Sequence, residues 1–256
     1  MGIYNCAITL PEALDSLYAQ TYQDFKIILC DDGSTDDTYA VAKSYADRHD
    51  NIVLVRNEKN MGLNYTLNRC LEYAETEYCA RMDGDDISLP TRFEKEIKFL
   101  DEHLEYAIVS CPMIYFDEKG DFRQGTGNGI VSKSDFLHGP PFCHAPCMIR
   151  TDAYRAVDGY TVDEKLLRVE DDHLWFKLYS KGFKGYNLQE PLYKMRDDRN
   201  AILRRSWLNR RNEIYVRYIG YRMLGMSWYN YIYVMRPLVA YMVPDCLYNI
   251  YHKKKK

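Results

Sequence analysis

The 256-residue sequence predicts an α/β fold, a mostly parallel sheet flanked by helices. Three observations carry this. Short β-rich runs alternate with helical patterns through the first 110 residues. Apolar residues make up 46% and charged residues 28%, which excludes a wholly disordered chain. No stretch of 18 uncharged apolar residues occurs, which argues against a conventional membrane-spanning helix.

In chain order, the expected strands are Met1–Tyr4, Lys26–Cys30, Ile52–Arg56, Tyr78–Met82 and Ala107–Phe116. Helices are expected near 11–20, 36–49, 62–75 and 91–103. Pro11 and Pro90 stand near helix starts, where proline is tolerated, and Thr35 or Asp36 can cap the second helix. This alternation is Rossmann-like, and ligands of such sheets bind beyond the carboxyl ends of the strands. Past residue 110 the pattern loosens into a mixed arrangement. Asp117–Gly120 reads as a hairpin turn, 124–129 as a glycine-rich loop, His144–Ile149 as a strand, and Glu170–Lys181 as a helix ended by Gly182. Only four residues precede Asn5, fewer than a central strand needs, so the first strand is expected to be truncated, with its beginning upstream.

Charge divides the chain. Residues 201–256 carry 11 Lys or Arg against two acids, a net +9, which leaves −12 for residues 1–200. The expected organisation is therefore an acidic domain, 1–200, and a basic, aromatic, helical extension, 201–256. Residues 228–244 are apolar and aromatic but interrupted by Arg236 and Pro237. With Lys253 to Lys256 they suit an anionic membrane surface rather than a span. Nucleic acid is not an expected partner, because the basic residues cluster with apolar aromatics and the body is acidic. The 24 tyrosines suggest half-wet surfaces. The eight cysteines form no Cys-x-x-Cys pair and read as buried thiols of a cytosolic protein.

Three acidic clusters carry the chemistry. CDDGSTDDT (30–38) takes a strand into Asp31 and Asp32. Carboxylates there can accept from a ring N–H, while the turn presents backbone N–H groups to phosphate. RMDGDDISLP (81–90) places Asp83, Asp85 and Asp86 within four residues. Such carboxylates repel unless a cation neutralises them, which suits a hard divalent ion shared with substrate phosphates. LLRVEDDHLWFKL (166–178) opens a helix on Glu170, Asp171 and Asp172, where a general base can be held over the crevice.

Taken together with IYN near the start and NMGL at 60–63, these ordered motifs resemble the inverting nucleotide-sugar transferases of glycosyltransferase family 2, with the glycosyltransferase A fold. The likeness runs from about residue 1 to 200. It implies that Ile3 and Tyr4 border the nucleobase, with Asp32 or Asp31 accepting from it. Asn60 and Gly62 would lie near the nucleoside, and Asp83 near the ribose or donor sugar. Asp85, with Asp83, would hold Mn²⁺ or Mg²⁺ against the diphosphate. Asp171 would be the base, with Glu170 and Trp175 shaping the acceptor pocket. His144 would face the diphosphate or acceptor, and Arg196 the donor phosphates. His173 stands where the family often has a further acid. The resemblance further implies a UDP-sugar donor, a glycan or lipid-linked acceptor, bacterial surface-polysaccharide synthesis, and a cytoplasmic location peripheral to the inner face of the membrane. A non-catalytic nucleotide-sugar-binding partner of a transferase complex is the alternative.

Overall fold

The computed structural model describes residues 1–197 and 206–242. Its first sheet is wholly parallel, in the order β1 (Gly2–Ile3), β2 (Ile27–Asp31), β3 (Ile52–Arg56). Helices α1 (Leu10–Tyr18), α2 (Thr38–Ala46) and α3 (Leu63–Leu71) alternate with these strands; α2 packs on β2 and β3, α3 on β1 and β2, and α1 against α2. In α1, Leu10, Ala13, Leu14 and Leu17 are buried, the spacing of one helical face, and Pro11 sits in its first turn as expected. Asp36 accepts from the Thr38 N–H at 3.0 Å, so its carboxylate serves the start of α2.

Two mixed sheets extend the layer. One comprises β4 (Tyr78–Ala80), β6 (Ile108–Ser110), β9 (Gly129–Ile130), β10 (Met148–Arg150) and β11 (Gly185–Asn187), ordered β4-β10-β6-β11-β9. The other comprises β5 (Ile87–Ser88), β7 (Met113–Asp117), β8 (Gly120–Gln124) and β12 (Tyr193–Arg196), ordered β5-β12-β7-β8. Parallel pairing continues in β6–β11 and β7–β12, and the other pairs of these two sheets are antiparallel. The hairpin expected at Asp117–Gly120 joins β7 to β8.

Two sequence expectations are corrected. The run 107–116 is not one strand: it splits at Pro112, which lacks an N–H, and the halves β6 and β7 serve different sheets. The strand expected from His144 begins only at Met148, and His144 lies in the bend before it.

Helix α4 (Arg92–Glu102) follows β5, and α5 (Thr151–Ala156) and α6 (Glu170–Ser180) follow β10. Gly182, at φ +88°, closes the last of these in the left-handed conformation that a helix end favours. Among the described residues, the C-terminal extension is α7 (Trp207–Met223), a 3₁₀ stretch Trp228–Met235 and α8 (Arg236–Met242). Ser206 caps α7, accepting from the Asn209 N–H at 3.1 Å. This extension is packed rather than loose. Val216, Tyr221, Leu224 and Val234 share a core with Trp175, Phe176 and Leu178 of α6. A Cβ on Gly220 would meet the Phe176 ring at 2.2 Å, so glycine lets the two helices close on each other. Arg204, Arg205, Cys246 and Lys253 to Lys256 lie outside the described residues.

Helix α6 also predicts an acid sensitivity. His173 is buried on it, and desolvation together with Lys177 lowers its pKa from 6.5 to about 4. His144 is lowered too, by burial and by Arg81. The unfolded chain therefore binds these protons at a higher pH than the folded chain does. Their contribution is full above about 6.5 and is lost as pH falls toward about 4. Melting temperature measured between pH 7 and 4.5 should fall through this window, and less steeply in His173→Gln.

Candidate active site

The first crevice wall is made where β1 and β2 end. Asn5 adopts φ +48°, a left-handed conformation that asparagine tolerates. Its backbone N–H donates to Ser34 Oγ at 3.0 Å, and its Oδ1 accepts from the Thr35 N–H at 2.9 Å. The Cys6 N–H donates to Thr38 Oγ1 at 2.7 Å. The segment 4–6 is thereby stapled to the acidic turn 31–38, leaving the Tyr4 ring half exposed over the crevice. Ile3 is buried beneath it and serves as floor.

Asp31 and Asp32 are turned inward. The Asp31 side chain is fully buried and pairs with Arg56 Nε at 3.0 Å, so it is withdrawn from the ligand-facing surface where the sequence placed it. Asp32 accepts from Asn57 Nδ2 at 2.8 Å, from the Met61 N–H at 2.8 Å and from the Gly62 N–H at 2.9 Å. Both oxygens thus hold the 60–63 loop, and one ligand donor at most can be added. Gly62 (φ +92°) and Gly33 (φ +68°) supply the turns, and a Cβ on Gly33 would sit 2.6 Å from the Lys59 backbone. Asn60 is exposed, its Oδ1 accepting from the Gly62 N–H at 3.2 Å.

The second wall follows β4. Arg81 grips both Asp83 carboxylate oxygens, at 2.7 and 2.8 Å. Beyond them, Gly84 and Asp85 meet Tyr4, Asn5, Cys6, Thr9 and Arg196 around a cavity of about 280 Å³. Thr9 Oγ1 donates to the Gly84 carbonyl at 3.0 Å, which ties the two walls together. Arg196, at the end of β12, donates its backbone N–H to Asp86 at 2.8 Å and its Nε to the Asp85 carbonyl at 3.0 Å. Its guanidinium also pairs with Glu12 and stacks over Phe116. Burial and the Asp83 charge raise the pKa of Asp85, and burial with Asp83 and Asp85 raises Asp86 to about 8. The cluster therefore seeks positive charge. Asp83 spends both oxygens on Arg81, and no group of three ligating side chains is assembled among the described residues. The donor set fits a hard divalent ion held by Asp85 and completed by substrate phosphates, as Mg²⁺-type sites commonly are. Asp83 is the weaker candidate ligand.

The third wall is the N-terminus of α6. Asp171 is lifted above the ordinary aspartate range by burial and by Asp83, and held back by Arg81. Glu170 is lifted by burial and by Asp171, again opposed by Arg81. One buried guanidinium thus faces Asp83, Asp171 and Glu170 together. His144 Nε2 lies 2.8 Å from the Tyr160 hydroxyl, and its lowered pKa keeps it neutral. Trp175 is not an acceptor-pocket residue. It is 0% exposed, edge-on to Phe142 and His144, and supports the wall from behind.

Arg81, Tyr160 and Tyr193, whose hydroxyl accepts from the Asp83 N–H at 3.2 Å, have no expected role in the sequence reading. For Arg81 a signal exists: it stands two residues before Asp83 at a strand end, hence on the same face. The tyrosines come from distant segments and carry no such signal.

Comparison with known proteins bears on the family and the fold. The family model "Glycosyl transferase family 2" matches residues 1–211. The putative glycosyltransferase EpsE of Bacillus subtilis is 41% identical over all of this chain and 92% of its own length. The Escherichia coli UDP-Gal:alpha-D-GlcNAc-diphosphoundecaprenol beta-1,3-galactosyltransferase is 29% identical, over 99% of this chain and 94% of its own. Among solved structures, S. aureus TarS 1–349 in complex with UDP-GlcNAc superposes with a TM-score of 0.72 at 19% identity, covering 94% of this chain and 70% of that one. It shares the expected glycosyltransferase A fold. The chain is therefore a glycosyltransferase and belongs to family 2.

Proposed function

We propose that this enzyme moves a sugar, with inversion, from a UDP-sugar to a hydroxyl of a lipid-linked glycan at the cytoplasmic membrane surface. The observation that carries the reading is the convergence at the strand ends of Tyr4 to Cys6, Asp85 and Arg196 around one cavity, beside an α6 terminus bearing a basic carboxylate. The relatives supply the classes of donor and acceptor: the E. coli enzyme is named for UDP-Gal and a diphosphoundecaprenol-linked sugar.

In this reading Tyr4 and the loop held by Asp32 receive the nucleoside, and Arg196 faces the diphosphate. Asp171 takes the proton of the acceptor hydroxyl as its oxygen attacks the anomeric carbon from the face opposite the diphosphate. Its raised proton affinity suits that task. Arg81 opposes the rise in the Asp171 pKa that burial causes, and holds Asp83 in place. A divalent ion at Asp85, when bound, would neutralise charge on the leaving diphosphate.

Thermal-shift titration with UDP, GDP, CDP and dTDP, each with and without Mn²⁺, tests the donor class. UDP should raise the melting temperature, more so with metal. A folded chain that no diphosphate stabilises would defeat the reading.

No helix among the described residues is long and apolar enough to cross a membrane. The extension nevertheless exposes Trp228, Tyr229, Ile232, Val239 and Met242 on consecutive turns. Aromatic and apolar groups beside basic ones are suited to lying in the interface. Flotation with phosphatidylglycerol-containing vesicles should carry the protein up. The double substitution Trp228→Ser/Ile232→Ser should weaken that binding by at least about tenfold, as two apolar side chains are withheld from lipid. Equal flotation of both proteins would exclude this surface.

A further inference from the structure

Helix α6 starts abruptly. A single 3₁₀ turn, Glu164–Leu166, stands three residues before it. Leu166 and Val169 are buried in the core that α7 shares, while Leu167 and Arg168 between them are exposed. The chain makes this step because Arg168 adopts φ +69°. That left-handed region suits glycine, and in other residues it persists only where the surroundings hold it. From within, the Val169 N–H donates to the Leu166 carbonyl at 3.1 Å. The hold from outside comes from α7. Asn212 is 1% exposed, and its Nδ2 donates to the Leu167 carbonyl at 3.1 Å and lies 3.5 Å from the Glu164 carbonyl. Its Oδ1 accepts from Arg211 Nη2 at 3.3 Å, which fixes which way the amide faces. A buried amide is costly unless its hydrogen bonds are made, and here both Nδ2 contacts go to one short turn of backbone. Further along α7, Arg217 stands against the same end of α6: burial and Asp171 raise the pKa of Asp172, and Arg217 opposes that rise.

We propose that Asn212 is a positioning residue for sugar transfer: through the Leu167 carbonyl it fixes the left-handed turn at Arg168, and thereby the first turn of α6 that carries Asp171. The inference rests on the reading of Asp171 as the base. The first turn is the part of a helix that lacks intrahelical partners for its N–H groups and frays first. Release of the turn at Arg168 would therefore unwind the segment bearing Glu170 and Asp171. The buried body of α6, with Leu174, Phe176 and Leu178, would stay in the core. The donor cavity around Tyr4, Asp85 and Arg196 contains no residue of this turn, so donor binding would be untouched. The extension thus has a part in the reaction that is separate from any contact with a membrane.

The test uses the full chain with Asn212→Leu, which keeps the volume without the donors, and Asn212→Ser, which carries the test should the leucine variant fail to fold. Each is made alone and with Arg168→Gly, and Arg168→Gly alone is the reference for the pair. Amide hydrogen exchange at Val169 and His173, whose N–H groups donate to the Leu166 and Val169 carbonyls at 3.1 Å each, reports the turn. Exchange at Leu178 reports the body of the helix. Loss of Asn212 should speed the first two at least tenfold and Leu178 less than threefold. Turnover of UDP-galactose, UDP-glucose and UDP-N-acetylglucosamine with a bacterial lipid extract should fall at least tenfold in kcat, with UDP affinity within twofold. In the Arg168→Gly background both losses should shrink to within threefold, because glycine takes the left-handed turn unaided. Equal losses in the two backgrounds, a matching loss of UDP affinity, or exchange that rises as much at Leu178 as at Val169 would overturn the proposal. Exchange needs no transfer, so the two failures are distinct: no turnover by the unsubstituted chain would defeat the reading of the base, and unchanged exchange would defeat the hold on the turn.

Discussion

Replacing Asp171 with Asn should leave UDP binding within about twofold and lower kcat by about 10²–10⁴, the usual contribution of a positioned base. Asparagine keeps the shape of the carboxylate and loses its proton affinity. The structure gives reason to expect intact folding. Arg81 retains its two-oxygen grip on Asp83, so no buried cation is left alone. The helix still begins on Glu170 and keeps Asp172 in its first turn. The donor cavity around Tyr4, Asp85 and Arg196 does not include Asp171. Loss of kcat with unchanged UDP affinity is therefore the signature of the base, and isothermal titration beside single-turnover transfer separates the two. The pH profile adds a second check. Burial and Asp83 lift Asp171, so the acidic limb of kcat should fall above the ordinary aspartate range and should disappear in the variant. Normal turnover by the variant, or an equal loss of UDP affinity, would remove Asp171 from the role.

Much of this site was legible in the sequence because carboxylates at strand ends leave a local trace. Asp83, Asp85 and Asp86 follow one strand and Asp31 and Asp32 another, and both strands exist where the apolar runs place them. What sequence cannot show is which partner each side chain finds. Asp31 reads as a ligand-facing acid, yet Arg56, standing opposite it in the β2–β3 register, takes it inward. Trp175 lies one helical turn beyond Asp171, which sequence reads as a shared face over the acceptor. That face dips into the core within a single turn, so the acid stands at the rim and the indole behind it. The division of the run 107–116 was signalled by Pro112 alone, and a continuous apolar pattern outweighed it.

The largest effect on stability is expected at Arg92, which is fully buried and linked to Glu96 at 3.1 Å within α4. Arg92 Nη2 also donates to the Arg81 carbonyl at 2.9 Å, and its guanidinium lies over the Tyr193 ring at 5.1 Å. One side chain therefore fastens α4 to the strand end that presents the acidic cluster. Arg92→Met should cost about 3–5 kcal/mol, because it leaves Glu96 buried without its counter-charge. That corresponds to a fall in melting temperature of roughly 6–20 °C for a chain of this size. The double substitution Arg92→Met/Glu96→Met should recover most of the loss, since no charge is then stranded. It should not restore donor affinity fully, because the Arg81 carbonyl still lacks its donor. The pH dependence has a definite sign. Burial already raises the Glu96 carboxyl from 4.5 to about 7 against the pull of Arg92, and removing Arg92 raises it further. A raised carboxyl pKa favours the folded state at low pH, and that advantage is lost as pH climbs from about 4.5 through the folded value. The penalty of Arg92→Met should therefore be smallest near pH 5 and grow through pH 8. Chemical denaturation at the two ends of that range measures it, and a pH-independent penalty would mean that Arg92 acts through packing and the Arg81 carbonyl rather than through Glu96.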